Sequence, residues 1–169
     1  MGRTLMLSAE RVRRTIVRLA YEIIEHNRGA QNLAIFGIQT GGAALAKELA
    51  SYIGEHEQTG QEVHILDVTP FRDDRNRSEA HPFDESIDVT DRDIILVDDV
   101  LFTGRTARAA LDAIVRVGRP RTIQLVVLID RGHREYPIQP NFVGRTIKTK
   151  HVERVVVEVD EGFAVYVEE

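Results

Sequence analysis

The chain has 169 residues, of which 43% are hydrophobic and 29% charged, with a formal net charge of −5. This composition indicates an ordinary folded protein with one core and excludes a disordered chain. Cysteine is absent, which excludes a disulfide scaffold and thiolate metal sites and fits a reducing cytoplasm. No apolar run could span a bilayer and no signal peptide stands out, so we expect a cytoplasmic protein without membrane partners. The acidic balance argues against non-specific nucleic-acid binding but leaves room for a local basic face.

Helix and strand patterns alternate from the N-terminus onward. Apolar residues at helical spacing predict a helix from about Ala9 to His26, with Ser8 as its N-cap and Gly29 just past its end. A buried strand is predicted at Leu33 to Ile38, and it ends in the turn Gln39 to Gly42.

The middle of the chain combines one more such pair with a long polar segment. A helix is predicted from about Ala43 to Ile53, closed by Gly54, and a strand at Val63 to Val68. The segment at about 70–91 is polar, densely charged and interrupted by two prolines. Because such a stretch within one domain is usually a functional loop, we expect a mobile lid there.

The second half predicts a strand at Ile94 to Val97, a helix at Thr106 to Val117 and a strand at Thr122 to Ile129. Three short strands complete the pattern, at Val143 to Ile147, Arg154 to Val159 and Phe163 to Val167. The alternation predicts an α/β fold with a mainly parallel, twisted sheet that helices flank on both faces. Ligands bind at the carboxyl ends of such strands, so we expect the polar segments Thr40–Gly42, Asp98–Thr106 and Asp130–Arg134 to converge.

The segment from Ile94 to Thr106 reads IILVDDVLFTGRT and joins a strand, two carboxylates, a tight loop and a helix start. Its last four residues place N–H groups and two hydroxyls at a helix N-terminus, which favours an anion. Gly104 lets the backbone approach a phosphate closely. Asp98 and Asp99 are suited to accept hydrogen bonds from sugar hydroxyls or to hold Mg²⁺ through water. The pattern therefore predicts a ligand such as a ribose 5-phosphate.

A simpler explanation is that Asp98 and Asp99 only form a capping turn after a strand. The full pattern is far more specific than an isolated acid pair. It contains neither the Gly-Lys-Ser/Thr of a Walker A loop nor the three glycines of a dinucleotide site. It resembles the motif with which type I phosphoribosyltransferases bind 5-phosphoribosyl 1-pyrophosphate (PRPP).

Four segments extend the resemblance to one family: Leu66–Asp74, Val97–Ala110, Gly118–Pro120 and Asp130–Glu135. They resemble the PyrR family, whose members regulate pyrimidine operons by attenuation and also have uracil phosphoribosyltransferase activity. The similarity runs from the first helix to about Val159, and DRGHRE at Asp130–Glu135 is specific to the family. The resemblance implies one type I phosphoribosyltransferase domain over residues 1–169. A small hood, at about 130–169 and including an N-terminal strand as a candidate, would cover the carboxyl ends of the strands.

The resemblance also implies roles for matching positions. The residues expected to bind PRPP are Thr40, Gly41, Gly42, Asp98, Asp99, Val100, Leu101, Phe102, Thr103, Gly104, Arg105 and Thr106. The first three would form the pyrophosphate loop, the acid pair would hold the ribose, and the last four would hold the 5-phosphate. The residues expected to begin the hood over the base are Asp130, Arg131, His133 and Arg134. Arg72, at the base of the mobile loop, would act with the acid pair as a catalytic residue by closing on the pyrophosphate.

The implied reaction joins uracil to PRPP and releases UMP and pyrophosphate. Mg²⁺ would arrive with PRPP, without a dedicated protein site, and the chain would form a homodimer or homotetramer. No general base is identified, since His133 could equally be a structural residue. The six histidines show no paired metal spacing.

One departure from the family pattern falls in the pyrophosphate loop, where Gly41 replaces the usual arginine. A lost charge-assisted contact weakens PRPP binding by about 1.5–3 kcal/mol, or roughly ten- to a hundred-fold. A positive φ at Gly41 is a second explanation for the glycine. The mobile loop is also shorter than usual.

The alternative function is an RNA-binding regulator with little or no catalytic activity. Its candidate residues are Arg14, Arg18, Tyr21 and Arg145, which would contact an mRNA leader hairpin. The competing explanation of these arginines is a solvated helix face. A purine-selective relative with the same PRPP motif is a third possibility, which the hood sequence disfavours.

Overall fold

The computed structural model describes residues 2–71, 82–84, 86–160 and 162–169. Its elements in chain order are β1 (Arg3–Leu7), α1 (Ala9–Asn27), β2 (Leu33–Ile38), α2 (Gly41–Glu57), β3 (Val63–Leu66), β4 (Asp93–Leu101), α3 (Arg105–Val117), β5 (Thr122–Asp130), β6 (Phe142–Thr146), β7 (Arg154–Glu158) and β8 (Ala164–Glu168). A short 3-10 helix, Thr69–Phe71, follows β3. No helix among these residues is both long and apolar enough to cross a membrane.

The central sheet has five strands in the order β3-β2-β4-β5-β6, and every pair is parallel. Successive side chains of a strand point to opposite faces, so each face has its own core. Ile95 and Val97 pack with α1 and α2 on one face, whereas Ile94 and Leu96 pack with α3 on the other. The predicted α/β class, with a parallel sheet between helices, is confirmed.

A second, three-stranded antiparallel sheet has the order β1-β8-β7. The N-terminal strand thus pairs with a strand from the end of the fold. Arg3 links all three strands, because it forms an ion pair with Glu158 of β7, lies 3.4 Å from Glu168 of β8 and stacks over Tyr166 at 3.8 Å. The small sheet reaches the edge of the central sheet where the candidate site lies.

Helix α2 and strand β4 are both longer than predicted. Helix α2 begins at Gly41 rather than Ala43 and includes Gly54, because a single glycine costs only about 1 kcal/mol in a helix interior. The helix ends instead where Gln58 adopts a left-handed backbone, with φ 54°. Strand β4 extends well beyond Val97, since its pairing with β5 continues to Leu101.

The ends of the segment predicted as a mobile loop pack against the core. Phe71, Phe83 and Val89 are all buried, and the ring of Phe83 lies 4.8 Å from that of Phe36. Residues 72–81 and 85 lie outside the described residues, so the predictions of a lid and of a catalytic Arg72 lie there too.

A buried polar network closes the amino-terminal edge of the sheet. Asp93 is 3% exposed and accepts hydrogen bonds from Arg121, from Thr122 Oγ1 at 2.8 Å and from Asn32. Hydrogen bonding to Arg121 and Thr122 outweighs burial and lowers the pKa of Asp93. A carboxylate with a lowered pKa stabilises the fold above its unfolded pKa, and this contribution is lost as the pH falls through the folded pKa.

We expect Asp93→Asn to lower the free energy of unfolding at neutral pH by about 1–3 kcal/mol, because charge-assisted bonds in a buried network are lost. Urea unfolding of both proteins at pH 7 and below pH 3 measures this difference, which should shrink at the lower pH. Asp91→Asn, an exposed change two residues away, is the matched control. A stability difference that does not depend on pH would contradict the assignment.

Candidate active site

A cavity of about 520 Å³ lies at the carboxyl ends of β2 and β4. Its lining residues are Ile38, Gln39, Thr40, Gly41, Ala44, Asp98, Asp99, Val100, Thr106, Val157 and Val159. Two of the three segments expected to converge, the loop before α2 and the acid pair with the start of α3, therefore meet in one space. The third, Asp130–Arg134, lies beside it and donates hydrogen bonds to the carbonyl oxygens of Leu101 and Phe102, which precede α3.

The first turn of α2 lies directly against the middle of β4. A Cβ atom on Gly42 would come within 2.2 Å of Val97 O, a backbone atom that cannot yield cheaply. Glycine is therefore required at this position for the N-terminus of α2 to reach the acid pair. The Gln39–Thr40 peptide bond of the loop before α2 is cis.

The two carboxylates lie within β4 rather than after it, and both are half-buried. Asp98 Oδ1 accepts the N–H of Asp99 at 2.9 Å, and Asp99 Oδ1 accepts the N–H of Val100 at 2.7 Å. Burial, together with the neighbouring charge of Asp99, raises the pKa of Asp98 well above its usual range. An acid pair of this kind is stabilised by hydroxyl donors or by a cation, which fits the sugar or Mg²⁺ expected here.

The loop between β4 and α3 has the geometry of an anion site. Gly104 is the N-cap of α3 with φ 88°, and the N–H of Arg105 donates to Thr103 Oγ1 at 3.3 Å. The first N–H groups of α3 have no partner within the helix and carry the positive end of its dipole. Thr106 in this first turn lines the cavity. Arg105 itself turns toward the following loop, since its Nε donates to Glu135 at 2.7 Å.

The predicted base hood forms a ring cluster around Phe102. The Arg131 guanidinium stacks on this ring at 3.9 Å, and the rings of His133 and His151 lie 5.8 and 5.4 Å from it. Arg131 is only 7% exposed and donates to Thr149 Oγ1 at 3.1 Å. It therefore supports the hood rather than presenting its charge to a ligand.

His133 is also engaged by the protein. Its Nε2 lies 2.7 Å from Thr149 O, which can only accept, so this nitrogen carries the proton. The contact favours the structural explanation of His133 over a general base acting through Nε2.

The residues expected to bind RNA lie away from the cavity. Arg14, Arg18 and Tyr21 are on α1, and Arg145 is on the neighbouring edge strand β6. Arg18 joins the two elements by donating to Gly144 O and to Val143 O.

Several cavity residues were not predicted from the sequence. Val157 and Val159 come from β7 and the residue after it, more than fifty positions after the acid pair. Only the pairing of the small sheet brings them here, so no local pattern could have identified them. His151 joins the Phe102 cluster in the same way, through the loop after β6.

The comparisons with known proteins agree with this geometry. Residues 6–161 match the phosphoribosyl transferase domain family, so the chain belongs to that family. Solved structures of the same fold include the hypoxanthine phosphoribosyltransferase of Trypanosoma cruzi, with a TM-score of 0.75 and 17% identity over 97% of this chain and 95% of that one. A hypoxanthine-guanine phosphoribosyltransferase of Bacillus anthracis gives a TM-score of 0.73 and 16% identity, covering 98% and 97% of the two chains. At these identities the likeness shows the fold alone.

Sequence relatives are much closer. The chain is 48% identical to the bifunctional protein PyrR of Deinococcus radiodurans, covering 92% of this chain and 87% of the relative. It is 46% identical to that of Bacillus subtilis, covering 94% and 91% of the two chains. The chain is therefore a member of the PyrR family, as its motifs predicted.

The structure changes the interpretation of Gly41. Its φ is not in the left-handed range, so the explanation from a positive φ is wrong. A Cβ there would instead meet Asp99 Oδ2 at 2.1 Å, so any larger residue must displace that carboxylate.

We expect Gly41→Ala to lower kcat/KM for PRPP, because the methyl group displaces Asp99 without adding a contact. The kcat/KM of Gly41→Arg for PRPP should exceed that of Gly41→Ala by roughly ten- to a hundred-fold, since a guanidinium can bind pyrophosphate bidentately. Steady-state kinetics at one fixed Mg²⁺ concentration compare the three proteins. Equal values for the two variants would exclude a missing anion contact. Gly42→Ala, which clashes with backbone, is the control that should lose stability instead.

Proposed function

We propose that this protein transfers the phosphoribosyl group of PRPP to uracil, forming UMP and pyrophosphate, and that it also binds RNA as a regulator of pyrimidine genes. One observation carries the enzymatic part. Thr40 and Gly41, the acid pair Asp98–Asp99 and Thr106 at the start of α3 line one cavity. Those three features suit the pyrophosphate, the ribose hydroxyls and the 5-phosphate of one ligand.

The charges of the cavity support this orientation of PRPP. The 5-phosphate would be bound by the N–H groups of Thr103–Thr106, because the helix N-terminus is the positive end of the site. The hydroxyls of the ribose would donate to Asp98 and Asp99, whose remaining oxygens have acceptor capacity. The pyrophosphate would extend toward Thr40 and Gly41 on the opposite wall.

The protein's contribution to the chemistry would be positioning and electrostatic stabilisation. Breaking the bond between the anomeric carbon and pyrophosphate leaves positive charge on the ribose ring, which the carboxylates of Asp98 and Asp99 would stabilise. Asp98 and Asp99 would hold Mg²⁺ through water, and the ion would supply positive charge that stabilises the leaving pyrophosphate. The apolar side chains of Val157 and Val159 line the same cavity and would exclude water that hydrolyses PRPP.

Three of the assigned roles depend on the family resemblance more than on contacts. Arg72 would close on pyrophosphate as part of the lid. The hood that begins at Asp130–Arg134 would cover the uracil ring. A homodimer or homotetramer would be the working form.

A surface on α1 and β6 supports RNA binding. Arg18 of α1 donates hydrogen bonds to Val143 O and Gly144 O of β6. Arg145, the next residue of β6, is exposed. Arg14 is also exposed and pairs with Glu10 at 2.6 Å, a bond that phosphate could replace. Tyr21 is 52% exposed and lies edge-on to His56 at 5.0 Å, so a base could stack on its open face. The curated relatives are described as bifunctional, which favours two activities over a regulator that has lost catalysis.

The enzymatic proposal predicts which base is consumed. With PRPP and Mg²⁺, uracil should yield UMP and pyrophosphate, whereas hypoxanthine and adenine should yield no product above background. Chromatography of the reaction mixture measures all three.

The double variant Asp98→Asn, Asp99→Asn should lose PRPP binding in calorimetry while keeping its far-ultraviolet circular dichroism. Product from a purine, or unchanged PRPP affinity in the double variant, would overturn the assignment.

The RNA proposal predicts a charge effect on one face only. Arg145→Gln should weaken binding of a leader hairpin RNA several-fold and reduce the slope of log K against log salt by about 0.7–0.9, the value for one phosphate contact. Gel-shift titrations at several salt concentrations measure both quantities. Arg108→Gln removes the same charge from an exposed position on α3, which packs on the face of the sheet opposite α1. This control should change neither the affinity nor the salt slope. Equal effects of the two variants would remove the support for this surface.

A further inference from the structure

The carbonyl oxygens of the loop expected to hold the 5-phosphate are all hydrogen-bonded within the protein. The consecutive carbonyl oxygens of Leu101, Phe102 and Thr103 all accept hydrogen bonds from one segment, residues 131–136. Leu101 O accepts the N–H of Arg131 at 3.1 Å. Thr103 O accepts two N–H groups of the same segment, at 2.8 and 3.0 Å.

The carbonyl between these two is held by a side chain. Arg134 Nη1 donates to Phe102 O at 3.0 Å, Nε to Ile138 O at 2.9 Å and Nη2 to Asp130 Oδ2 at 2.6 Å. The side chains of Arg134 and Asp130 are 22% and 16% exposed. Asp130 Oδ1 also accepts the N–H of Gly132 at 3.1 Å, so the acid is fixed from both sides.

The ionisation of Asp130 favours this arrangement at neutral pH. Burial alone would raise the pKa of Asp130, but the hydrogen bonds from Arg134 and Gly132 more than offset it and lower the pKa. The acid therefore remains an anion, and the Arg134 fork keeps its charged partner.

An anion site requires that the carbonyl oxygens of the loop point away from the anion and the N–H groups point toward it. A carbonyl oxygen turned toward a phosphate would repel it, whereas N–H groups turned toward it bind it. The C=O and N–H of a trans peptide point in opposite directions. Because the carbonyls of Leu101, Phe102 and Thr103 point toward residues 131–136, the N–H groups of Phe102, Thr103 and Gly104 point to the other side of the loop. The backbone of Gly104, with φ 88°, makes the turn that continues from them into α3.

We propose that Arg134 is a positioning residue for the 5-phosphate: through Phe102 O, Ile138 O and Asp130, it orients the loop that binds the phosphate of PRPP. This inference rests on the proposed function and reassigns a residue that the sequence placed in the base hood. The three acceptors lie in different directions, and only the planar guanidinium of arginine presents donors to all of them. Its effect would be confined to the 5-phosphate end of the ligand.

Ligand fragments separate the two ends of PRPP. Calorimetric titration with PRPP, and competition with ribose 5-phosphate and with magnesium pyrophosphate, would be measured for the parent, Arg134→Gln and Arg134→Lys proteins. We expect Arg134→Gln to weaken ribose 5-phosphate binding at least about tenfold, whereas magnesium pyrophosphate changes by less than about twofold. Arg134→Lys should lose nearly as much, because an ammonium keeps the charge but cannot bond three divergent acceptors.

Arg92 provides a matched control. It too is a half-buried arginine that donates to backbone carbonyls, those of Asn32 and Leu33, but it precedes β4 and lies roughly 30 Å along the strand from Leu101. Arg92→Gln should lower the melting temperature without changing the affinity for ribose 5-phosphate.

Each outcome decides the inference. Equal weakening of both fragments, full retention of affinity by Arg134→Lys, or an equal effect of Arg92→Gln would overturn it. If Arg134→Gln does not fold, Arg134→Lys carries the same comparison. Failure of the parent protein to bind PRPP with Mg²⁺ would refute the proposed function instead, and binding by the parent with unchanged variants would refute only the role of Arg134.

Discussion

The close approach of α2 to the middle of β4, just before the acid pair, is the constraint on which the candidate site depends. A hydrogen atom is all that fits between the Cα of Gly42 and Val97 O. Because the two backbones touch, Thr40 and Gly41 lie against Asp98 and Asp99 in one cavity. The parallel pairing of β2 with β4 sets the level at which they meet, since it brings both strands to the same edge of the sheet.

Local sequence predicted the central sheet well because its signals are local. Short runs of Val, Ile and Leu between turn residues mark β2 and β5, whose predicted bounds agree closely with the structure. Glycines predict the ends of helices less reliably, since Gly54 was expected to end α2 but lies within it. A glycine interrupts a helix only when packing does not favour its continuation, and Ile53 of α2 is completely buried.

The parts of the site that the sequence did not predict are those made by distant segments. Asp98 and Asp99 were found because strand, acid pair and helix start are contiguous. Val157 and Val159 were not, because their place at the cavity depends on how β7 pairs within the second sheet. The role proposed for Arg134 could not be predicted from the sequence for a related reason. A sequence motif predicts which part of the fold a residue lies in, but it does not predict which acceptors its side chain contacts. The Arg134 guanidinium donates to Phe102 O, in the loop before α3.

The order of the small sheet also affects how the chain folds during synthesis. Strand β8 lies in the middle, between β1 and β7, so the first strand made has no partner until the last strand has emerged. The five strands of the central sheet, which end at Thr146, can pair before then, whereas β1 remains an open edge throughout translation. The wall of the cavity that contains Val157 is added last. A ribosome-bound chain would consequently contain the acid pair and the loop before α3 before the cavity is enclosed, because Val157 takes its place only when β7, β8 and β1 pair.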